Sequence, residues 1–169
     1  MISIRQLLET DWEIFASMRL HALQECPSVF SSNYAKEKNN TANDWTGWLK
    51  PEGKCVFGLF DKETLIGITG VATVKQEPTN GVLYGSFIQQ PYRGRGLSDL
   101  FYEARIGWAK DYLPWKKLIV SNRENNEASR RANQRHGFVY THRASKVWPD
   151  GVTCDELCYE LDLEKLRMK

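Results

Sequence analysis

Gln90-Pro91-Tyr92-Arg93-Gly94-Arg95-Gly96-Leu97-Ser98 follows an apolar, strand-like segment, Val82-Leu83-Tyr84-Gly85-Ser86-Phe87-Ile88, and opens a stretch with helical spacing. Two glycines one residue apart let the backbone turn tightly and bring its N–H groups close to a ligand. The first turn of a helix adds unpaired N–H donors and the positive end of the dipole, and Arg93 and Arg95 add full charge. Strand, glycine turn and helix start together form a cradle for an anion such as a phosphate or pyrophosphate. A plain surface turn is the competing reading, because short glycine motifs recur by chance.

Working outward, residues 2–7 alternate as a first strand, and Thr10-Asp11-Trp12-Glu13 has capping-box spacing ahead of a helix running to about Glu25. Pro27 ends that helix. A polar stretch over 31–43 contains at most a short helix, and a second helical piece lies around 45–49. Segments 55–60 and 65–74 form a hairpin around Asp61-Lys62-Glu63-Thr64, and Pro78-Thr79-Asn80-Gly81 predicts a turn before the 82–88 strand. Beyond the glycine loop, Leu97, Leu100, Phe101, Ala104 and Trp108 make an apolar helical stripe that Pro114 stops. A short buried strand at 118–120, a polar helix over 126–136 closed by Gly137, and strands over 138–141 and 154–161 complete the chain. No repeat or linker divides it, so residues 1–169 read as a single domain.

A net charge of +2 is too small to argue for nucleic acid, and no zinc-ligand spacing is present. No apolar run approaches the length of a membrane span. Cys26, Cys55, Cys154 and Cys158 lack CxxC spacing and read as free thiols, and no charged-then-apolar segment opens the chain. The expectation is a cytoplasmic protein without metal or membrane partner.

The glycine loop resembles the Arg/Gln-x-x-Gly-x-Gly/Ala motif of the GNAT superfamily of acyl-CoA-dependent N-acyltransferases, with Arg93-Gly94-Arg95-Gly96-Leu97-Ser98 as the match and serine in the last, small-residue slot. A second match is Asn126, Ser129 and Gly137-Phe138 in the following helix. Met18-Arg19-Leu20-His21-Ala22-Leu23, with Pro27 and Phe30, is similar to the family's first helix and loop. The resemblance implies an α/β fold with a central, mostly antiparallel sheet, splayed between its fourth and fifth strands and flanked by helices. It also implies an N-acetyltransferase that moves an acetyl group from acetyl-CoA directly to a primary amine. The acceptor is expected to be a small molecule or a peptide, and the protein a monomer or homodimer.

By the same resemblance the pyrophosphate lies on Arg93, Gly94, Arg95, Gly96, Leu97 and Ser98. The pantetheine arm pairs with the free edge at Phe87, Ile88 and Gln89, and Asn126, Ser129 and Asn133 contact the arm or the thioester. The backbone N–H of Ile88 is the expected oxyanion donor. Two departures stand out. Asn133 occupies the slot where many relatives carry a proton-donating tyrosine, leaving Tyr140 as a loose alternative, and the 82–88 strand holds no carboxylate to act as base. Asp155 and Glu156 are the substitutes the sequence offers. Phe30, Tyr34, Trp45, Trp48 and Trp148, with Asp150, would suit a small cationic amine, although core packing explains those rings equally well. A non-catalytic acyl-CoA-binding domain and a nucleotide-binding protein are the rival classes.

Overall fold

Alternating apolar residues and tight turns build the first half of the sheet. In the computed structural model, which describes residues 1–169, β1 (Ile2–Gln6) pairs antiparallel with β2 (Lys54–Asp61). The hairpin predicted at Asp61–Thr64 joins β2 to β3 (Thr64–Val74), which pairs antiparallel with β4 (Glu77–Ile88). The turn before β4 falls at Lys75-Gln76 rather than at Pro78–Gly81. Val74 pairs with Glu77, so Pro78 lies near the start of a strand, where its fixed φ is tolerated.

Between β1 and β2 the chain lays down α1 (Trp12–Glu25), α2 (Tyr34–Glu37) and α3 (Ala42–Leu49). The capping box predicted at Thr10–Glu13 does not form. Asp11 instead accepts the Leu8 N–H at 2.7 Å and pairs with Arg5, closing a 3-10 turn at Glu9–Asp11 that leads into α1. Thr41 and Asp44 supply a true capping box for α3. Phe15, Leu23, Trp45 and Phe60 belong to the core beneath these helices, with Trp45 edge-on to Phe15.

The second half alternates strand and helix: α4 (Ser98–Asp111), β5 (Lys117–Arg123), α5 (Glu127–Arg135), β6 (Val139–Val147), β7 (Thr153–Asp162) and a short α6 (Leu163–Arg167) that the sequence reading left out. The seven strands form one mixed sheet ordered β1-β2-β3-β4-β5-β7-β6. Only β4 and β5 are parallel, and they pair over just three positions, Asn80–Val82 with Lys117–Ile119. Beyond Val82 the two strands part. A bulge in β4 at Gly85 (φ +67°) falls just past the last pair, where bending and added twist separate the strands. This is the mostly antiparallel sheet, splayed between its fourth and fifth strands, that the resemblance implied. No helix is long and apolar enough to cross a membrane.

Candidate active site

The splay opens a cleft of about 830 Å³. Its walls are β4 from Val82 to Ser86 and β5 from Ile119 to Arg123. Ser98, Phe101, Tyr102 and Arg105 of α4 and Ser129, Ala132 and Asn133 of α5 close one side. Phe30, Ser31 and Ser32 of the loop after α1, with Trp148 and Glu156, close the other.

At the mouth, the glycine loop has the features of an anion cradle. Gly94 and Gly96 sit at φ +76° and +74°, a region L-residues enter only at a cost, and a Cβ at either would meet no protein atom within 4 Å. Packing therefore does not demand glycine there, whereas the positive φ does. None of the backbone N–H groups of Gly94, Arg95, Gly96, Leu97 and Ser98 is hydrogen-bonded within the chain. Five consecutive free donors at the start of a 14-residue helix match the chemistry of a pyrophosphate.

The edge of β4 continues from this loop. The Gln89 N–H turns inward to the carbonyl of Ile66 at 2.9 Å, so alternation along the strand turns the Ile88 N–H to the unpaired edge. Phe87 packs into the α1 core, and Phe87, Ile88 and Gln89 lie beyond the walls of the cavity itself, which Tyr84, Gly85 and Ser86 line instead. Arg93 turns away from the loop. Its Nε donates to the Ile88 carbonyl at 2.7 Å and its Nη2 to Glu25 at 2.8 Å, tying the end of β4 to α1. Arg95 stays exposed over the Tyr92 ring.

Asn126 caps α5, accepting the Ser129 N–H through Oδ1 at 3.1 Å, and both residues line the cleft. Asn133 is buried, and its side chain belongs to a network. The Tyr102 hydroxyl donates to Asn133 Oδ1 at 2.6 Å, Asn133 Nδ2 donates to Asn122 Oδ1 at 3.2 Å, and Asn122 donates to the Arg123 carbonyl at 2.9 Å. The slot without a tyrosine thus has one delivered from α4. Burial pushes the Tyr102 phenol up from its ordinary pKa, and its ring stacks on His136 at 4.2 Å. Tyr140, by contrast, lies half exposed on β6, against Tyr159 and outside the cleft.

Glu156 is the only carboxylate lining the cleft. Its Oε2 accepts from Ser121 Oγ and from Lys146 Nζ, both at 3.1 Å. Asp155, the other candidate base, points away into a pair with Arg143. Lys146 also donates to Ser31 Oγ at 2.8 Å, and Arg123 donates to the Ser28 carbonyl and to Asp150, both at 2.8 Å. These two cations flank the Trp148 ring and strap the loop after α1 over the cleft. Arg19, buried at the bulge, grips Glu37 through two bonds of 2.9 Å and lies over the rings of Phe30 and Trp48. Of the aromatic set read from the sequence, Phe30 and Trp148 reach the cleft, while Tyr34, Trp45 and Trp48 belong to the α1 core.

The acetyltransferase (GNAT) domain model matches residues 2–139. The chain belongs to the GNAT acetyltransferase family. Solved structures of the family share its fold. A GNAT-family acetyltransferase from Streptococcus pneumoniae superposes with a TM-score of 0.79 at 19% identity, covering 96% of this chain and 99% of that one. The yncA protein of Salmonella typhimurium, solved with its cofactor acetyl-CoA, gives 0.78 at 16% identity over 96% and 94% of the two chains. The ribosomal-protein-S5-alanine acetyltransferase of Vibrio fischeri gives 0.79 at 16% identity over 96% and 93%. Comparison with curated protein sequences found no match.

Tyr102, Arg105, Ser86, Ser121 and Asn122 line the cleft and were missed by sequence reasoning, as was Lys146, which reaches it through Glu156. The available signal was on α4, where Tyr102 and Arg105 share a helical face with Phe101 and Ala109, widening the stripe read from the sequence.

Proposed function

We propose that this GNAT protein transfers an acetyl group from acetyl-CoA to a primary amine, directly and in a ternary complex. The observation that carries the reading is the run of five free N–H groups at Gly94–Ser98, at the mouth of the cleft, beside the unpaired edge of β4 that walls it. The first fits a pyrophosphate and the second fits the amides of a pantetheine arm. Acetyl-CoA supplies a thioester carbonyl open to attack by a neutral amine.

The chain's own residues then have defined work. The backbone of Gly94, Arg95, Gly96, Leu97 and Ser98 holds the phosphates, with Arg95 adding charge at the surface. Arg93 acts one step back, fixing the strand end through the Ile88 carbonyl. The free N–H of Ile88, at the strand end just beyond the cavity walls, is the oxyanion donor in our reading. An amine with an unperturbed pKa near 10.4 is neutral in only about one molecule in 2,500 at pH 7, so a proton acceptor is required. Glu156 takes that role in our reading. Tyr102 replaces Tyr140 as the proton donor in our reading: its hydroxyl, held by Asn133 Oδ1, turns its one proton to the departing thiolate and is left as the phenolate. Asn126 and Ser129 shape the wall through the α5 cap.

Calorimetric titration with CoA and acetyl-CoA, with ATP as control, tests the binding half. Saturable binding of both CoA forms that ATP does not displace is expected, followed by amine-dependent thiol release. Binding without turnover on any amine would leave an acyl-CoA-binding domain, and displacement of CoA by ATP would replace the reading with nucleotide binding.

A further inference from the structure

Two arginines are buried in this protein, Arg19 and Arg105, and they are solved differently. Arg19 is neutralised by a bidentate carboxylate, as a buried guanidinium usually must be. Arg105, only 3% exposed, has none. Its Nε donates to the Phe101 carbonyl at 3.1 Å, its Nη1 donates to Ser86 Oγ at 3.1 Å, and its plane lies 5.0 Å from the Tyr102 ring. These partners are neutral. Nη2 makes no hydrogen bond within the chain, and Arg105 lines the cleft.

The surroundings sharpen the imbalance. Of the other cations lining the cleft, Arg19 and Arg123 have carboxylate partners and Lys75 is exposed to solvent. The lone lining carboxylate, Glu156, is held by Lys146. Burial lowers Arg105 to a pKa of about 10, which leaves it cationic at neutral pH. A pantetheine arm carries only neutral groups, its amides, a hydroxyl and the thioester, so it does not supply the missing charge.

We propose that Arg105 is the receptor for a ligand carboxylate inside the cleft. The guanidinium is anchored on two of its nitrogens and presents the third, and a carboxylate there gains a charge-assisted bond away from water. The inference rests on the acyl-CoA reading of the cleft. The carboxylate has two possible sources: the far end of a dicarboxylic acyl chain carried on CoA, or the acceptor.

The test titrates the wild-type protein with acetyl-CoA and with succinyl-CoA, and separately titrates the CoA-loaded protein with succinate. Binding of succinyl-CoA at least tenfold tighter than acetyl-CoA supports the proposal with the acyl chain as source. Equal affinity for the two thioesters, together with succinate binding to the CoA-loaded protein, supports it with the acceptor as source. In Arg105→Met, and in Arg105→Gln as the more polar second variant, the preference or the succinate binding should vanish. Acetyl-CoA affinity should stay within about twofold. No preference and no succinate binding in the wild type overturns the proposal, and so does a preference that survives in both variants. Acetyl-CoA binding in the same experiment separates the two levels. If it is normal while the carboxylate effects are absent, only the Arg105 assignment falls; if no CoA form binds, the acyl-CoA reading falls and takes the assignment with it.

Discussion

Gly96→Val is the most direct test of the cradle, and its two effects separate on physical grounds. Gly96 sits at φ +74° with no protein atom within 4 Å of where a Cβ would stand. The fold therefore loses no packing, only backbone preference, which for a residue forced into the left-handed region costs about 1–2 kcal/mol. Against a typical domain stability of about 5–15 kcal/mol, the protein remains folded. Binding suffers more. A side chain in that open space stands where the ligand must approach the free N–H groups of residues 94–98. Hydrogen bonds to a charged group are worth about 1.5–3 kcal/mol each, so losing two removes about 3–6 kcal/mol, or roughly 10²–10⁴ in affinity for CoA. Gly151→Val supplies the control, since Gly151 is also at positive φ (+83°) with open space but lies in the turn between β6 and β7. Thermal unfolding and CoA calorimetry on both variants separate strain from binding. Similar losses of melting temperature with CoA affinity lost only in Gly96→Val are expected. CoA affinity unchanged in Gly96→Val would refute the cradle.

Three further perturbations follow from the same geometry. Tyr102→Phe removes the 2.6 Å bond to Asn133 and leaves a buried acceptor unpaired, costing about 1–3 kcal/mol of stability. It should slow acetyl transfer by about 10²-fold with little change in CoA affinity, and an unaltered rate would return Tyr102 to a purely structural role. Glu156→Gln should lower transfer by about 10²-fold at neutral pH and recover toward wild type as the pH approaches the amine's own pKa; equal loss at all pH values would sink Glu156 as the proton acceptor. For Glu37, burial works to raise the carboxyl, but hydrogen bonds from Arg19 and Ser32 outweigh it and hold the pKa below the ordinary value. A lowered carboxylate stabilises the fold above the unfolded pKa of about 4.3 and loses that contribution as pH falls through the lower folded value. Glu37→Gln, which strands Arg19, should therefore cost about 3–5 kcal/mol at pH 7 and progressively less below pH 4, as denaturant melts across that range would show.

Legibility from sequence divides along a physical line. The glycine loop and, α6 apart, the order of strands and helices were readable because each rests on local chemistry, namely turn-forming glycines, strand alternation and helical spacing. The splay was reached only through the family resemblance, since nothing in residues 82–88 announces that pairing with β5 stops after three positions. The choice between the two candidate bases was not legible for a related reason. Asp155 and Glu156 are neighbours in sequence, yet strand alternation sends one to Arg143 and the other into the cleft, and only the register of β7 against β5 decides which.

α4 is the most instructive element. Of the apolar stripe read there, Phe101 is buried and Leu97, Leu100 and Trp108 pack against the core, but amphipathic periodicity counts only apolar residues on the inward face. The buried positions are Phe101, Tyr102, Arg105 and Ala109. Part of that face does not pack on core but lines a cleft, and a cleft that must hold polar ligand groups rewards a hydroxyl and a guanidinium there. The two residues that widen the buried face beyond the stripe, Tyr102 and Arg105, are buried and line the cavity. When Tyr and Arg recur three apart in register with Phe and Ala on a helix that starts at an anion cradle, the inward face is better read as a ligand wall than as a misplaced core, and Arg105 is where that argument meets its test.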